Sequence, residues 1–111
     1  MDLDLSVMRE TAPKVSALMK ILANEHRLMI LCQLMEGERS VGEMATKLEM
    51  RQAALSQQLA LLRKSGLVKT RRDAQTIYYS LARADLAALL GFLYETYCSA
   101  VPGHADVLPR G

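Results

Sequence analysis

Residues 40–64 read SVGEMATKLEMRQAALSQQLALLRK, and their spacing predicts two helices joined by a tight turn. Ser40 and Glu43 match a capping box, in which the hydroxyl accepts the backbone N–H three residues later and the carboxylate accepts the N–H of the first residue. A helix is therefore predicted to begin at about Ser40. Apolar residues recur at helical spacing along one of its faces, at Val41, Met44, Ala45 and Leu48.

The second helix of this pair has two faces of different character. Leucines at helical spacing form one face, at Leu55, Leu59 and Leu62. The other face carries small or amide side chains, where a solvated helix usually carries Glu and Lys. Gln and Ser can hydrogen-bond to base edges, and alanines let a helix approach thymine methyl groups in the major groove. The pattern predicts a DNA recognition helix that presents Gln52, Ala53, Ser56, Gln57 and Ala60.

Basic charge is concentrated from the start of the recognition helix onward. No acidic residue occurs between Arg51 and Arg72, although the formal net charge of the whole chain is only +2. Local positive charge suits a surface that contacts phosphates, and Arg63 is a predicted contact on the helix. The alternative interpretation is an ordinary helical hairpin with a solvated basic end.

A β-hairpin is predicted directly after the recognition helix. Ser65-Gly66 is a stop signal, and runs at 68–72 and 76–81 are separated by a short polar gap. The second run is rich in β-branched and aromatic residues, which favours a strand. A basic hairpin in this place predicts a wing, and its tip would position the protein on phosphates or the minor groove rather than read bases. Arg72 and Gln75 are the predicted contacts there.

Two helices are predicted before this pair. Pro13 suits the first turn of a short helix, Asn24 suits the N-cap of the next helix, and Gly37 suits its end. The predicted organisation is an N-terminal extension at 1–12, a winged-helix DNA-binding and dimerisation domain at 13–100, and a C-terminal tail at 101–111.

The last helix is predicted from Arg83 to about Ala100, ended by Pro102-Gly103. It carries more apolar surface than a small domain can bury alone, so a symmetric homodimer is predicted. Two-fold symmetry would place two recognition helices about 34 Å apart, on successive major grooves. The expected interface residues are Leu86, Leu90, Leu93 and Tyr97.

Length and composition limit the class of protein. A chain of 111 residues fits one domain. No apolar run approaches the roughly 20 residues of a membrane span, and no secretory leader is recognisable, so a cytoplasmic protein without membrane contact is expected. Two cysteines in a reducing compartment do not imply a structural disulfide. The predicted fold is mainly α with a β-hairpin wing: four helices, two strands and a fifth helix.

The order of these elements and two motifs resemble the ArsR/SmtB family of winged-helix repressors. The motifs are LANEHRLMIL at 22–31 and ALSQQLALLR at 54–63, with Gly66-Leu67-Val68 as the exit into the wing. The resemblance covers about residues 13–100 and implies a homodimeric repressor of operator DNA, with no enzymatic activity. The sequence departs from the family pattern at Glu49, Arg51 and Gln58, where Gly, Ser or Thr, and His are more usual.

Members of that family differ chiefly in what they sense. The cysteine motif of its thiophilic-metal sensors would fall near 41–43, where no cysteine occurs. Asp85 lacks a partner on the last helix, and His104 lies in the tail, so neither a metal nor another cofactor is expected. Cys32 and Cys98, with their flanking residues, resemble the BigR/SqrR/HlyU branch. That resemblance implies a dithiol sensor of reactive sulfur species, with per- or polysulfide as the inducer.

The implied mechanism is that a bridge between Cys32 and Cys98 releases operator DNA. A bridge of added sulfurs tolerates cysteines too far apart for a plain disulfide, whose Cα atoms lie within about 7 Å. Two alternatives of the same class are a general redox- or metal-responsive repressor and a repressor with two unrelated buried thiols. Two others are a winged-helix protein-interaction module and a thiol-disulfide enzyme, which a Cys-x-x-Cys pair would favour; the sequence has no such pair.

Overall fold

The computed structural model describes residues 1–98 and 108. Its elements confirm a mainly helical winged helix-turn-helix with a β-hairpin, and they add one short strand to the predicted order. In chain order they are α1 (Leu5–Leu22), α2 (Glu25–Leu34), β1 (Arg39–Ser40), α3 (Val41–Leu48), α4 (Gln52–Lys64), β2 (Val68–Asp73), β3 (Thr76–Leu81) and α5 (Ala84–Tyr97).

The helix-turn-helix consists of α3 and α4. The predicted capping box is present: Ser40 Oγ accepts the Glu43 N–H at 3.2 Å, and Glu43 Oε1 accepts the Ser40 N–H at 3.0 Å. After α3, Glu49 adopts a left-handed conformation with φ of 53°, which a non-glycine residue adopts at a cost of about 1 kcal/mol. The Met50 N–H bonds to the Ala45 carbonyl at 3.0 Å and closes the helix end.

Every helix contributes to one core. The three leucines predicted for α4 are completely buried, as is Met44 of α3. Burying a side chain of this size contributes about 1.5–3 kcal/mol, so this cluster holds α3 and α4 together and leaves the opposite face of α4 to solvent. The core residues are Leu22, Ile30, Leu31, Leu34, Met44, Ala45, Leu55, Leu59, Leu62, Leu67, Val68, Leu86 and Leu90.

The start of α1 was predicted wrongly. The helix begins at Leu5, not at Pro13, and therefore runs across the predicted boundary between the extension and the domain. Asp4 is the N-cap, and its carboxylate accepts the N–H groups of Ser6 at 2.9 Å and Val7 at 3.3 Å. Pro13 lies within α1 and is exposed, so the carbonyl that loses its N–H partner can bond to water instead. The cap of α2 was predicted correctly, since Asn24 Oδ1 accepts the Arg27 N–H at 3.0 Å.

The three strands form an antiparallel sheet in the order β1-β3-β2. Asp73 pairs with Thr76, so the wing turn is the two residues Ala74 and Gln75 rather than a three-residue gap. Ala74 has φ of 56°. The unpredicted strand β1 pairs Arg39 with Tyr79 and thereby attaches the start of α3 to the wing. A two-residue strand shows no periodicity, which explains why the sequence did not indicate it.

The end of α5 meets the limit of the described residues. The helix ends at Tyr97, and Cys98 follows it as the C-cap. The predicted stop at Pro102-Gly103, His104 and the rest of the predicted tail at 101–111 except residue 108 lie outside the described residues. Within the part of the chain that the structure describes, none of the helices has both the length and the apolar character needed to cross a membrane.

Candidate DNA-binding surface and dithiol groove

The predicted recognition face of α4 is exposed along its whole length. A groove of about 480 Å³ separates this face from the tip of the wing. Gln52 and Ser56 line it from α4, and Gln75 lines it from the wing. The structure therefore brings together the predicted base-reading and wing-tip residues on one surface. The exposed residues of the helix face are Gln52, Ala53, Ser56, Gln57 and Ala60.

The N-terminus of α4 opens onto the same surface. Arg51 is the N-cap, but its side chain accepts no backbone hydrogen bond, and the first turn contains no acidic residue. The first backbone N–H groups of a helix have no partner within the helix, and the helix dipole makes this end favourable for anions. The departure from the usual Ser or Thr cap thus leaves these donors without a side-chain partner from the cap.

The basic side chains of this surface are exposed, and one of them is also hydrogen-bonded within the protein. Arg63 and Lys64 are exposed in the last turn of α4, and Lys69 and Arg72 are exposed on β2. Long cationic side chains on such a surface can contact phosphates without reading sequence. Arg63 and Arg72 therefore occupy positions consistent with the contacts predicted for them.

Arg71 is this hydrogen-bonded residue. Its Nη2 donates to Glu38 Oε1 at 2.7 Å and its Nε donates to Glu38 Oε2 at 3.0 Å. The guanidinium also lies 4.9 Å from the centre of the Tyr78 ring. These hydrogen bonds lower the pKa of Glu38 and raise the pKa of Arg71. The pair attaches β2 to the loop before β1, so Arg71 positions the wing.

Arg27 is a linking residue that the sequence did not reveal. Its Nε donates to the Ile21 carbonyl at 2.7 Å and its Nη2 to the Lys20 carbonyl at 3.4 Å, at the end of α1. Its Nη1 donates to Gln58 Oε1 at 3.4 Å, on the inner side of α4. One guanidinium thus connects α1, α2 and α4. Gln58, where the family usually has His, faces Arg27 rather than solvent.

Cys32 and Cys98 lie in one groove of about 570 Å³ between α2 and α5. Cys32 is half-buried on α2, and Cys98 is exposed immediately after α5. Both are free thiols. Residues far apart in sequence are thus brought together, as the dithiol hypothesis requires. The other lining residues are Glu25, Leu28, Met29, Gln33, Met35, Glu36, Leu48 and Tyr94.

The two thiols differ in their surroundings. Burial raises the pKa of Cys32, and the nearby Cys98 raises it further because two thiolates repel each other. A thiol with a raised pKa is mostly protonated near neutral pH, and only the thiolate is a good nucleophile. Cys98 is the more exposed of the two thiols and is therefore the more accessible to a reagent from solvent.

The predicted dimer residues on α5 fall into two groups. Leu86 and Leu90 have exposed fractions of 1% and 0% within their own chain, so their assignment to the dimer interface was wrong. The spacing identified an apolar face but could not show that this face packs against α2 and β3. Leu93 and Tyr97 are half-buried. The large apolar side chains that α5 exposes are instead Phe92 at 62% and Tyr94 at 53%.

Among the described residues, no three His, Cys, Asp or Glu side chains are grouped so that they could hold a metal ion. Asp85, which was considered as a ligand on the last helix, accepts a hydrogen bond from Arg83 Nε at 3.0 Å.

Sequence comparison places this chain beside known regulators. The family model described as bacterial regulatory protein, arsR family, matches residues 24–70. The transcriptional activator HlyU of Vibrio cholerae is 46% identical over 98 residues, which are 88% of this chain and 91% of that protein. The biofilm growth-associated repressor of Agrobacterium fabrum is also 46% identical over 98 residues, covering 88% and 84% of the two chains.

Solved structures agree with these relatives. The transcriptional repressor BigR from Xylella fastidiosa superposes with a TM-score of 0.80 at 43% identity, over 86% of this chain and 98% of that one. The homodimeric winged helix-turn-helix DNA-binding domain Mb0332 from Mycobacterium bovis superposes with a TM-score of 0.72 at 32% identity, over 94% and 96% of the two chains.

Proposed function

This chain belongs to the ArsR family of bacterial transcriptional regulators, and we propose that it is a homodimeric repressor released from operator DNA when reactive sulfur species link Cys32 to Cys98. The observation that carries the proposal is that both thiols line one groove between α2 and α5. Its relatives are regulators and not enzymes. One of these relatives is an activator and another is a repressor, so repression is part of the proposal. The function is exercised in the cytoplasm, on the cell's own DNA.

The surface of α4 and the wing supports operator binding. Gln52, Ser56 and Gln57 present hydrogen-bonding groups on an exposed helix face, which suits base edges in the major groove. The first turn of α4 and the exposed Arg63 and Arg72 suit the flanking phosphates. The read-out and the anchoring groups therefore occupy one surface.

Exposed apolar side chains on α1 and α5 support the homodimer. Phe92 and Tyr94 are exposed on α5, and α1 also exposes large apolar residues. Large apolar side chains that are exposed in one protomer suit an interface with a second copy. The neighbour Mb0332 is described as homodimeric. The residues of α1 proposed for the interface are Leu5, Val7, Met8, Val15 and Met19.

The proposed chemistry begins at Cys98. Its thiolate attacks the terminal sulfur of a persulfide RSSH, which forms Cys98–S–SH and expels RS⁻. The Cys32 thiolate then attacks Sγ of Cys98 and displaces HS⁻, which leaves a disulfide. If the Cys98 persulfide first takes one more sulfur from a second RSSH, attack of Cys32 on the middle sulfur displaces HS⁻ and leaves a trisulfide. The first route converts one RSSH into RSH and H₂S, and the second converts two RSSH into two RSH and one H₂S. In both, the two thiols lose two electrons and one transferred sulfur is reduced to sulfide.

A link between the cysteines would act on DNA through α2. This helix packs against α3, α4 and α5, so a bridge from Cys32 to the end of α5 ties the helices behind the recognition helix to the proposed dimer helix. An allosteric coupling of about 1–3 kcal/mol would weaken operator binding roughly 5- to 150-fold. That range is enough to release a promoter.

The test is operator binding before and after persulfide treatment, measured by fluorescence anisotropy with the DNA upstream of the protein's own gene. Reduced protein should bind, treated protein should bind 5- to 150-fold more weakly, and mass spectrometry should show intrachain Cys32–Cys98 links. Cys32→Ser and Cys98→Ser should remain bound under the same treatment. Release of either serine variant to the wild-type extent would refute the dithiol switch. Equal release of the wild type by hydrogen peroxide would favour the general redox-responsive repressor.

A further inference from the structure

The walls of the groove around the two cysteines are mainly apolar. Leu28 and Met29 on α2, Met35 just after it and Leu48 on α3 form most of the lining. Met29 is exposed although it is large and apolar. Thioether and aliphatic side chains offer a ligand van der Waals contact and no hydrogen bond. The groove can therefore hold an apolar group beside the thiols.

The charged groups of the groove are carboxylates. Glu25 and Glu36 line it, and no Lys or Arg does so among the described residues. Glu36 is partly offset by Arg39, whose Nη2 lies 3.4 Å from its Oε2, and by Lys47 at 4.0 Å. Glu25 makes no salt bridge within residues 1–98. An anion that enters the groove would thus meet an uncompensated negative charge and no cationic partner.

We infer that the groove favours persulfides whose substituent is apolar and uncharged over persulfides whose substituent carries a carboxylate. The inference rests on the proposed dithiol function and adds the chemical class of the inducer. The apolar substituent lies against Leu28 and Met29, and the terminal sulfur reaches the exposed Cys98. The leaving thiolate is neutralised by a proton from solvent, which has access at the same opening.

The test compares two persulfides whose substituents differ by one charge: that of N-acetylcysteine, which carries a carboxylate, and that of N-acetylcysteine amide, called here the neutral reagent, whose substituent is uncharged. Mass spectrometry follows the rate of Cys32–Cys98 linking in the full chain. The neutral reagent should react up to about fivefold faster with the folded protein, because the carboxylates that line the groove are exposed to solvent. The same pair of reagents is applied to the protein unfolded in urea, where the ratio should fall close to the intrinsic ratio of the two reagents. A folded-state ratio equal to the unfolded-state ratio would overturn the inference.

Charge variants separate the groove from the rest of the surface. Glu25→Lys should reduce the preference for the neutral reagent about fivefold, because an attractive charge replaces a repulsive one. Glu10→Lys makes the same charge change on the exposed part of α1 and should leave the preference unchanged. Gln33→Lys places a cation on the same groove by a second route and keeps the test decisive if Glu25→Lys does not fold. Equal preferences in the wild type and all of these variants would also overturn the inference.

The outcomes distinguish this inference from the function on which it rests. If neither reagent links Cys32 to Cys98 in the folded protein, the proposed dithiol function fails. If both reagents link the cysteines and release DNA with no preference for the neutral one, the dithiol function stands and the groove does not select by charge.

Discussion

The proposed DNA-binding surface and the proposed dithiol groove, called below the DNA-binding surface and the dithiol groove, are built in different ways. The surface comes from one continuous stretch, in which residues 40–81 form α3, α4 and the wing. The groove brings together Cys32 on α2 and Cys98 after α5, with α3 also contributing to its wall. A surface made of consecutive elements can be recognised from local spacing, whereas a groove between distant elements exists only once the core has formed.

The two faces of α5 offer the largest test of this contrast. Leu90 is completely buried, so Leu90→Ala should lower the free energy of unfolding by about 2–5 kcal/mol through the cavity that it leaves. Phe92→Ala should instead weaken dimerisation with little effect on the core. Urea denaturation and light scattering of both variants separate the two effects. A Leu90→Ala protein as stable as the wild type would mean that α5 packs through another face.

Residues of the DNA-binding surface should divide into those that contact bases and those that contact phosphates. Gln57→Ala should weaken binding to the specific operator by about 1–3 kcal/mol, the range for a bidentate base contact. Arg72→Ala should weaken specific and non-specific binding alike and make the salt dependence shallower by about one unit of slope. Titrations at several salt concentrations measure both quantities. Equal salt slopes for the two variants would show that the wing does not contact phosphates.

Substitutions at Arg27 and Gln58 test whether the DNA-binding surface and the dithiol groove are connected through the core. Arg27→Gln should lose the hydrogen bonds to the end of α1 and lower the free energy of unfolding by about 1–2 kcal/mol. Gln58→Ala removes only the bond to α4 and serves as the matched variant with a smaller effect. Urea denaturation gives both values, and operator titration shows whether α4 is displaced. Unchanged stability in Arg27→Gln would remove this residue as a link.

A substitution in the wing should cause the smallest change in stability, and this change should depend on pH. The pKa of Glu38 is lowered in the folded state by its hydrogen bond to Arg71, so its contribution is present above the unfolded pKa and is lost as the pH falls through the folded value. Arg71→Ala should therefore melt slightly below the wild type at pH 7, and the difference should vanish in acid. Thermal unfolding at the two pH values checks this. A difference that persists in acid would point to the contact with Tyr78 instead.

Much of the fold could be predicted because its signals are local. The Ser40–Glu43 capping box, the Asn24 cap and the stop at Gly66 each depend on a few neighbouring residues, and the structure confirms the first two by hydrogen bonds. At the third, Gly66 has φ of 78° and the Leu67 N–H bonds to the Leu62 carbonyl at 3.0 Å. Helix spacing likewise identified the buried leucines of α4, because residues three or four positions apart lie on the same face of a helix.

Other predictions failed where a weak local signal competed with a strong one. Pro13 was taken as a helix start because proline suits the first turn. Asp4 supplies a better N-cap. At Pro13 the helix loses only one backbone hydrogen bond, and the carbonyl left without this partner can bond to water. The two-residue strand β1 is formed by pairing with β3 rather than by its own sequence.

The sequence by itself determined the helix-turn-helix, the wing and the exposed polar face of α4, because caps, turns and helical periodicity act over a few residues. Only the tertiary structure decided which face of α5 enters the core, that Arg27 reaches Gln58, that Glu38 engages Arg71, and that Cys32 and Cys98 share one groove. The physical reason is that these contacts join residues distant in the chain, and burial of the common core sets their distances. Periodicity shows that a face is apolar, but packing selects what covers it.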